Sequence, residues 1–151
     1  MIAGLIYLAD TSVYVLQRRH AQVRRRFEEL LLEGRVAACQ LVSLEFLNNA
    51  PDPKSYEVLW GGLHGHRWMD VTTDAMNRAL ANHRALAELS QHRNFKLPDL
   101  IIAATAELHG AVVLHYDADF DRIAAITGQP TEWVAPQGSL RQRASGDAAS
   151  A

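Results

Sequence analysis

The segment from Leu97 to Ile123 constrains the fold more than any other, because it combines a helix, a stop, a strand and a second helix. Pro98 suits the first turn of a helix, and Gly110 suits its end. Apolar side chains between them recur at helical spacing, at Leu97, Ile101, Ala104 and Leu108. The apolar run at 111–114 then predicts a short strand that is buried on both faces. A strand between two helices is typical of a parallel sheet covered by helices.

The length and composition predict one folded domain. The chain has 151 residues, of which 48% are hydrophobic, and this is enough for a substantial core. We expect the domain to span residues 1–136, and the small polar residues 137–151 to form a disordered tail. The single cysteine, Cys39, excludes an internal disulfide framework and predicts a buried thiol in a reducing cytoplasm. No apolar run approaches the about 20 residues that span a bilayer, so we expect no membrane association.

The remaining pattern alternates strands and helices. Further strands are predicted at 4–9, 36–38, 68–71 and 132–134, and further helices at 21–33, 41–49, 55–63 and 73–92. Because parallel strands need crossover connections, the prediction is an α/β fold with a mostly parallel central sheet and helices on both faces. The helix at 41–49 is apolar almost all round and is expected to be buried. The helix at 73–92 is expected to bury one stripe, formed by Met76, Leu80, His83 and Ala87, with Leu86 and Leu89 beside it.

Acidic residues lie where the strands of such a sheet end. Asp10 follows the first strand, Asp117 follows a late strand with Asp119 close behind, and Asp99 opens the preceding helix. Taken singly, Asp10 and Asp99 are more simply explained as helix-cap or first-turn acids, and Asp117 and Asp119 as turn residues. Glu45 is harder to explain, since a charge inside an apolar helix costs several kcal/mol unless it is paired or neutralised.

Taken together, the acids favour a metal site. Clustered carboxylates repel one another, so either some are protonated or a cation neutralises them. Oxygen ligands select hard cations, which makes Mg²⁺ or Mn²⁺ the natural occupant. A divalent cation among carboxylates can activate a water for attack on a phosphodiester. The sequence therefore predicts metal-assisted phosphodiester hydrolysis.

Four motifs in this order resemble the PIN-domain ribonucleases, in particular the VapC-type toxins of bacterial toxin–antitoxin pairs. They are LADTS, SLEFL, LPDLIIAATA and HYDADF, and the resemblance extends from Leu5 to about Val134. It implies a three-layer α/β/α sandwich, dependence on Mg²⁺ or Mn²⁺, endonucleolytic cleavage of RNA, dimerisation, and inhibition by a small VapB-like antitoxin.

The resemblance also implies roles for individual residues. The four acids of the PIN pattern fall on Asp10, Glu45, Asp99 and Asp117. We expect Asp10, Asp99, Asp117 and Asp119 to hold the metal, and Thr11, Ser12 and Glu45 to support it through the surrounding hydrogen bonds.

Five arginines fall between Arg18 and Arg26. The simplest interpretation is a solvated basic face, and the functional one is a contact with RNA phosphates or with an acidic partner, through Arg18, Arg19 and Arg25. Trp60 and Trp68 are expected to pack in the core or in an interface rather than stack on bases. His64 and His66 flank a glycine without further ligands nearby, which disfavours a transition-metal site. His115 is expected to be structural.

Other functions fit less well. A haloacid-dehalogenase-type phosphatase needs an acid two residues after the first Asp, where this chain has Ser12. A response-regulator receiver domain needs a lysine after a late strand, and neither Lys54 nor Lys96 follows one. The remaining alternative is a non-catalytic PIN-like module that binds RNA or a partner protein.

Overall fold

The computed structural model describes residues 4–140 and contains a five-stranded sheet in which every pairing is parallel. The strand order is β3-β2-β1-β4-β5. The strands are β1 (Tyr7–Ala9), β2 (Val36–Ala38), β3 (Arg67–Trp68), β4 (Val112–His115) and β5 (Thr131–Trp133). The predicted α/β class with a parallel central sheet is confirmed; β2 matches its predicted run, and the other four strands are shorter than or shifted from theirs.

Seven helices in the described range connect the strands and flank the sheet. They are α1 (Thr11–Leu16), α2 (Ala21–Leu32), α3 (Gln40–Leu47), α4 (Pro53–Leu63), α5 (Thr73–Glu88), α6 (Leu97–Leu108) and α7 (Ala118–Thr127). Each crossover places at least one helix between parallel partners, as the geometry of a parallel sheet requires. The fold is therefore the expected sheet covered by helices.

The central strands β1 and β4 set the position of the site. Leu8 pairs with Val113, and Ala9 pairs with Leu114. Side chains on these strands are buried throughout, as in a sheet covered on both faces. Just past β1, the backbone N–H of Asp10 donates to the carbonyl of Leu114 at 2.9 Å. The carboxyl ends of the two strands therefore lie side by side.

The stripe predicted for α5 is wrong. Met76 is 43% exposed and Leu80 is 67% exposed, whereas Ala75 and Ala79 are buried together with Asn82 and Leu86. The helix packs chiefly against α6, and small side chains in that contact let the two helices approach closely. The periodicity of large apolar residues therefore identified the wrong face of this helix.

Helix α6 forms where the apolar spacing predicts a helix, although only Ala104 of the four spaced residues is fully buried. Leu97 is 62% exposed and Leu108 is 41% exposed. The buried face instead carries Leu100, Ile102 and a set of alanines. Small residues again mark the packed side of the helix.

The prediction that α3 is buried all round is also wrong. Val42 and Leu47 are buried, but Leu44 is 63% exposed. Trp60 and Trp68 are about half exposed as well, so they do not pack in the core of this chain. Cys39, in contrast, is free and fully buried, as predicted.

The carboxyl-terminal boundary extends slightly past the predicted domain end at residue 136. Leu140 is partly buried against the core, and its backbone N–H donates to the hydroxyl of Tyr116 at 3.2 Å. Residues 141–151 of the predicted tail lie outside the described residues. None of the helices between residues 4 and 140 is long and apolar enough to cross a membrane.

Candidate active site

Two of the predicted acids are helix caps at the ends of the central strands. The Asp10 carboxylate accepts hydrogen bonds from the backbone N–H of Ser12 at 3.3 Å and from its hydroxyl at 2.7 Å. The Asp117 carboxylate accepts from the backbone N–H of Asp119 at 2.9 Å. The simple interpretation of Asp10 as a cap is therefore correct, and Asp117, interpreted as a turn residue, is also a cap. Capping does not exclude a second role, because a capping carboxylate keeps free lone pairs.

Three carboxylates converge at this end of the sheet. One carboxylate oxygen from each of Asp99, Asp117 and Asp119 lies within 4.8 Å of the other two. Asp99 reaches the cluster from the first turn of α6, where Pro98 starts the helix, and it is buried. Asp10, predicted as a fourth metal residue, is not one of these three. We call Asp99, Asp117 and Asp119 the acid trio.

The pKa of Asp99 is strongly shifted. Burial, followed by the charges of Asp10 and Asp117, raises its pKa from 3.8 to about 7. The positive charge of Lys96, at the start of α6, lowers the pKa of Asp99, but by less than burial and the neighbouring acids raise it. A carboxyl group that resists ionisation among other acids favours a cation that would neutralise the cluster.

Glu45 lies beside this cluster on α3. Burial raises its pKa, while the hydroxyl of Thr11, which donates to Oε1 at 3.2 Å, lowers it. Asp10 raises the pKa of Glu45 further, so the two acids influence each other. The cost of a charge on α3 is thus reduced by the Thr11 hydrogen bond, by the charge of Lys96 and by partial exposure, and not by a salt bridge among the described residues.

His115 is structural, as expected, and it holds the loop that carries Asp117. The ring is fully buried, between Phe120 and Trp133. Its Nδ1 accepts a hydrogen bond from the backbone N–H of Asp117 at 3.1 Å. Burial lowers the pKa of the ring, and a neutral imidazole with a free Nδ1 lone pair is the form that can accept this bond.

The arginine run divides into two groups. Arg24 donates to the carbonyls of Gln17 and Arg18, and Arg26 pairs with Glu132 at 3.2 Å. These two side chains connect parts of the fold. The other three are exposed and make no side-chain hydrogen bond or ion pair with residues 4–140; they are Arg18, Arg19 and Arg25.

Two cations near the acids were not predicted from the sequence. Lys96 acts on the pKa values of both Asp99 and Glu45. Arg122 lies 3.5 Å from Asp119 across one turn of α7. The spacing of Asp119 and Arg122 at i, i+3 is the signal that could have identified the second pair.

The donor set matches a hard divalent cation. All three members of the acid trio offer carboxylate oxygen, the ligand type that Mg²⁺ and Mn²⁺ prefer. Carboxylates at the carboxyl ends of parallel strands are placed where ligands bind in open α/β sheets.

Comparisons with known proteins identify the family. The family model of the PIN domain matches residues 7–126. Ribonuclease VapC51 of Mycobacterium tuberculosis is 46% identical over 137 residues, which cover 91% of this chain and 98% of that protein. Ribonuclease VapC18 of the same organism is 40% identical over 138 residues, covering 90% of this chain and 100% of the relative.

A solved structure shows the same fold. The DNA-bound VapBC complex from Salmonella typhimurium contains a chain that superposes with a TM-score of 0.70 at 19% identity. The superposition covers 87% of this chain and 100% of that one. With the match to the family model and the identity to the VapC ribonucleases, it follows that this chain belongs to the PIN domain family, with the VapC ribonucleases as relatives.

Proposed function

We propose that this protein is an endoribonuclease that requires Mg²⁺ or Mn²⁺ and acts as the toxin of a type II toxin–antitoxin pair. The observation that carries the proposal is the acid trio, with its carboxylate oxygens within 4.8 Å of one another at the carboxyl end of the sheet. The relatives named ribonucleases support the reaction class. The non-catalytic alternative is disfavoured, because a module that only binds has no use for clustered and mutually repelling acids.

In this proposal the acid trio holds the cation, and Asp10 adds negative charge from the adjacent strand. The raised pKa of Asp99 is caused by burial and by its neighbours, so binding a cation would favour its ionised form. A bound divalent cation supplies Lewis acidity and lowers the pKa of a coordinated water near the scissile phosphate. Catalysis is assigned to Asp10, Glu45, Asp99 and Asp117.

Side chains around the acids orient them. The Ser12 hydroxyl fixes one oxygen of Asp10, and the Thr11 hydroxyl fixes one oxygen of Glu45. His115 holds the backbone at Asp117. Hydrogen bonds of this kind reduce the reorganisation needed when charge develops during the reaction.

The proposed partners are an RNA substrate, a small VapB-like antitoxin and a second copy of the chain. The three exposed arginines without partners in the described range, Arg18, Arg19 and Arg25, are available for RNA phosphates or an acidic partner. The exposed apolar side chains of Met76 and Leu80 on α5 support a homodimer, since large exposed apolar side chains often mark interfaces. The buried free thiol of Cys39 fits the proposed cytoplasmic location.

The test is cleavage of RNA by the purified protein with Mg²⁺ or Mn²⁺, with and without EDTA. We expect chelation to abolish cleavage, and Asp99→Asn to reduce its rate by about 100-fold or more, the scale on which loss of one electrostatic group acts. Asp74→Asn is the matched control, since Asp74 opens α5 as Asp99 opens α6 but is exposed. Cleavage that survives both EDTA and Asp99→Asn would contradict the metal mechanism.

A further inference from the structure

A cavity of about 390 Å³ lies beside α3, and the acid site does not use it. Its lining residues come from α3, α4 and the edge strand β3; they are Ser43, Trp60, Leu63, His64, His66 and Trp68. Ser43 and Glu45 are two residues apart on one helix, which places them about 200° apart around its axis. Helix α3 therefore presents Glu45 to the acid site and Ser43 to this cavity.

Two indole rings form the rim of the cavity. Trp60 is 49% exposed, and Trp68 is 52% exposed. The Trp68 ring is held in place, because its Nε1 donates to Asp70 at 2.6 Å. The Trp60 ring lies nearly parallel to Tyr56, with 6.4 Å between ring centroids. Half-exposed and oriented aromatic rings are what a planar ligand needs for stacking.

The floor of the cavity contains polar atoms that the described fold does not satisfy. Ser43 is only 8% exposed, and its hydroxyl has no hydrogen-bond partner among residues 4–140. Both ring nitrogens of His66 are likewise buried without a partner in that range. A neutral imidazole offers one donor and one acceptor, and a serine hydroxyl offers both. The floor thus presents a mixed donor and acceptor set, which is the pattern on the edge of a nucleobase.

The charges around the cavity are compatible with a polyanion. None of its six lining residues is acidic, and the Asp70 carboxylate beside the rim accepts the hydrogen bond of the Trp68 indole. A second cavity of about 400 Å³, at the start of α4, has a similar size but is lined by Asp52 and Glu57, which would repel a phosphate backbone. Of these two cavities, the one next to Ser43 is therefore the one suited to RNA.

We infer that the cavity lined by Ser43, Trp60, His66 and Trp68 binds one unpaired nucleobase of the RNA substrate, on the far side of α3 from the acid site. Proteins recognise single-stranded RNA by stacking splayed bases on aromatic side chains and by hydrogen bonds to the base edges. The inference rests on the proposed function for the identity of the ligand. It assigns to this cavity the binding of a base that lies away from the cleaved bond.

The test measures binding of short, labelled, single-stranded RNA oligonucleotides by fluorescence anisotropy in EDTA, where the proposed reaction does not run. We expect Trp60→Ala to weaken binding by about tenfold, the effect of losing one stacked base. Trp60→Phe keeps a ring and is expected to retain most of the affinity. Ser43→Ala is expected to weaken binding several-fold without lowering the denaturation midpoint, because it removes an unpaired buried hydroxyl.

Val58→Ala is the matched control, since Val58 is on the same helix as Trp60 and is 70% exposed but does not line the cavity. Unchanged RNA binding by both Trp60→Ala and Ser43→Ala overturns the inference, as does undetectable binding by the unmodified protein. Equal losses from Val58→Ala and Trp60→Ala also overturn it, because they indicate a broad apolar face of the kind that docks a protein.

The outcomes separate this inference from the proposed function. If the protein cleaves RNA only with metal but the cavity variants bind RNA normally, the proposed nuclease function stands and the base site is refuted. Binding that depends on Trp60 and Ser43, in a protein that cleaves no RNA with either metal, supports the base site and refutes the nuclease.

Discussion

Replacing Asp99 by asparagine should stabilise the metal-free fold while it removes the proposed activity. Asp99 is buried, and its ionised form is opposed by burial and by the charges of Asp10 and Asp117. Asparagine has nearly the same shape and no charge, so it relieves the repulsion without leaving a cavity. Replacing a residue that only stabilises the fold would instead lower the free energy of unfolding.

The pKa of Asp99 sets the magnitude. A rise from 3.8 to about 7 is about three pH units, and at 1.36 kcal/mol per unit the ionised group costs at most about 4 kcal/mol at pH 8. Asp117 is only partly buried, so water screens part of the repulsion. We therefore expect Asp99→Asn to raise the free energy of unfolding by about 2 kcal/mol at pH 8.

The pH dependence follows from the direction of the shift. Between pH 3.8 and about 7 the native protein binds a proton at Asp99 that the unfolded chain has released. Stability from this group is therefore fully present below pH 3.8 and falls as the pH rises to about 7. The difference between the unmodified protein and Asp99→Asn should shrink by about half or more at pH 5, because Asp99 is then protonated in the native state.

Urea denaturation in EDTA measures the free energy of unfolding of the unmodified protein and of Asp99→Asn at pH 8 and at pH 5. Asp74→Asn is the control, and its free energy of unfolding should change little at either pH. Adding Mg²⁺ at pH 8 should stabilise the unmodified protein and have a much smaller effect on Asp99→Asn, since ligand binding to the native state raises its stability. An Asp99→Asn protein that is less stable at pH 8, or a difference that does not depend on pH, would refute the electrostatic argument.

Two further predictions concern local structure. Gly128 ends α7 at φ 72°, so Gly128→Ala should lower the free energy of unfolding by about 1–2 kcal/mol. Gly61 lies inside α4 with no atom within 4 Å of the added methyl group, so Gly61→Ala should raise that free energy by about 0.5–1 kcal/mol. Urea denaturation should show these opposite signs. Thr11→Val removes the hydrogen bond to Glu45 and should raise the pKa of the Glu45 carboxyl further. An NMR titration of the Glu45 carboxyl carbon that finds no rise would contradict the contact.

The sequence predicted the fold and the site best where a buried strand runs directly into a polar residue. An apolar strand that ends in an acid predicts both the strand and the place of the acid, and Asp10 and Asp117 follow this rule. Pro98 located the start of α6 and thereby the position of Asp99. These features are local, so tertiary contacts did not have to be known.

The sequence was least informative about which face of a helix is packed. On α5 Met76 and Leu80 point to solvent, whereas Ala75 and Ala79 face the fold together with Leu86, because close helix contacts favour small side chains. Nor could the spacing of the acids show that Asp119 joins the acid trio while Asp10 does not. That distinction depends on side-chain direction at the loop after β4, which His115 and Trp133 help to fix.

The pairing of β1 with β4 has a consequence for synthesis of the protein. Residues 7–9 lie between β2 and β4, and β4 is translated about a hundred residues later than β1. The central sheet cannot close until that late strand leaves the ribosome. Because the acid trio is encoded entirely after residue 98, a chain released before Asp117 lacks two of its three carboxylates. A ribosome translating this protein is thus exposed to the completed site only when nearly the whole domain has been made.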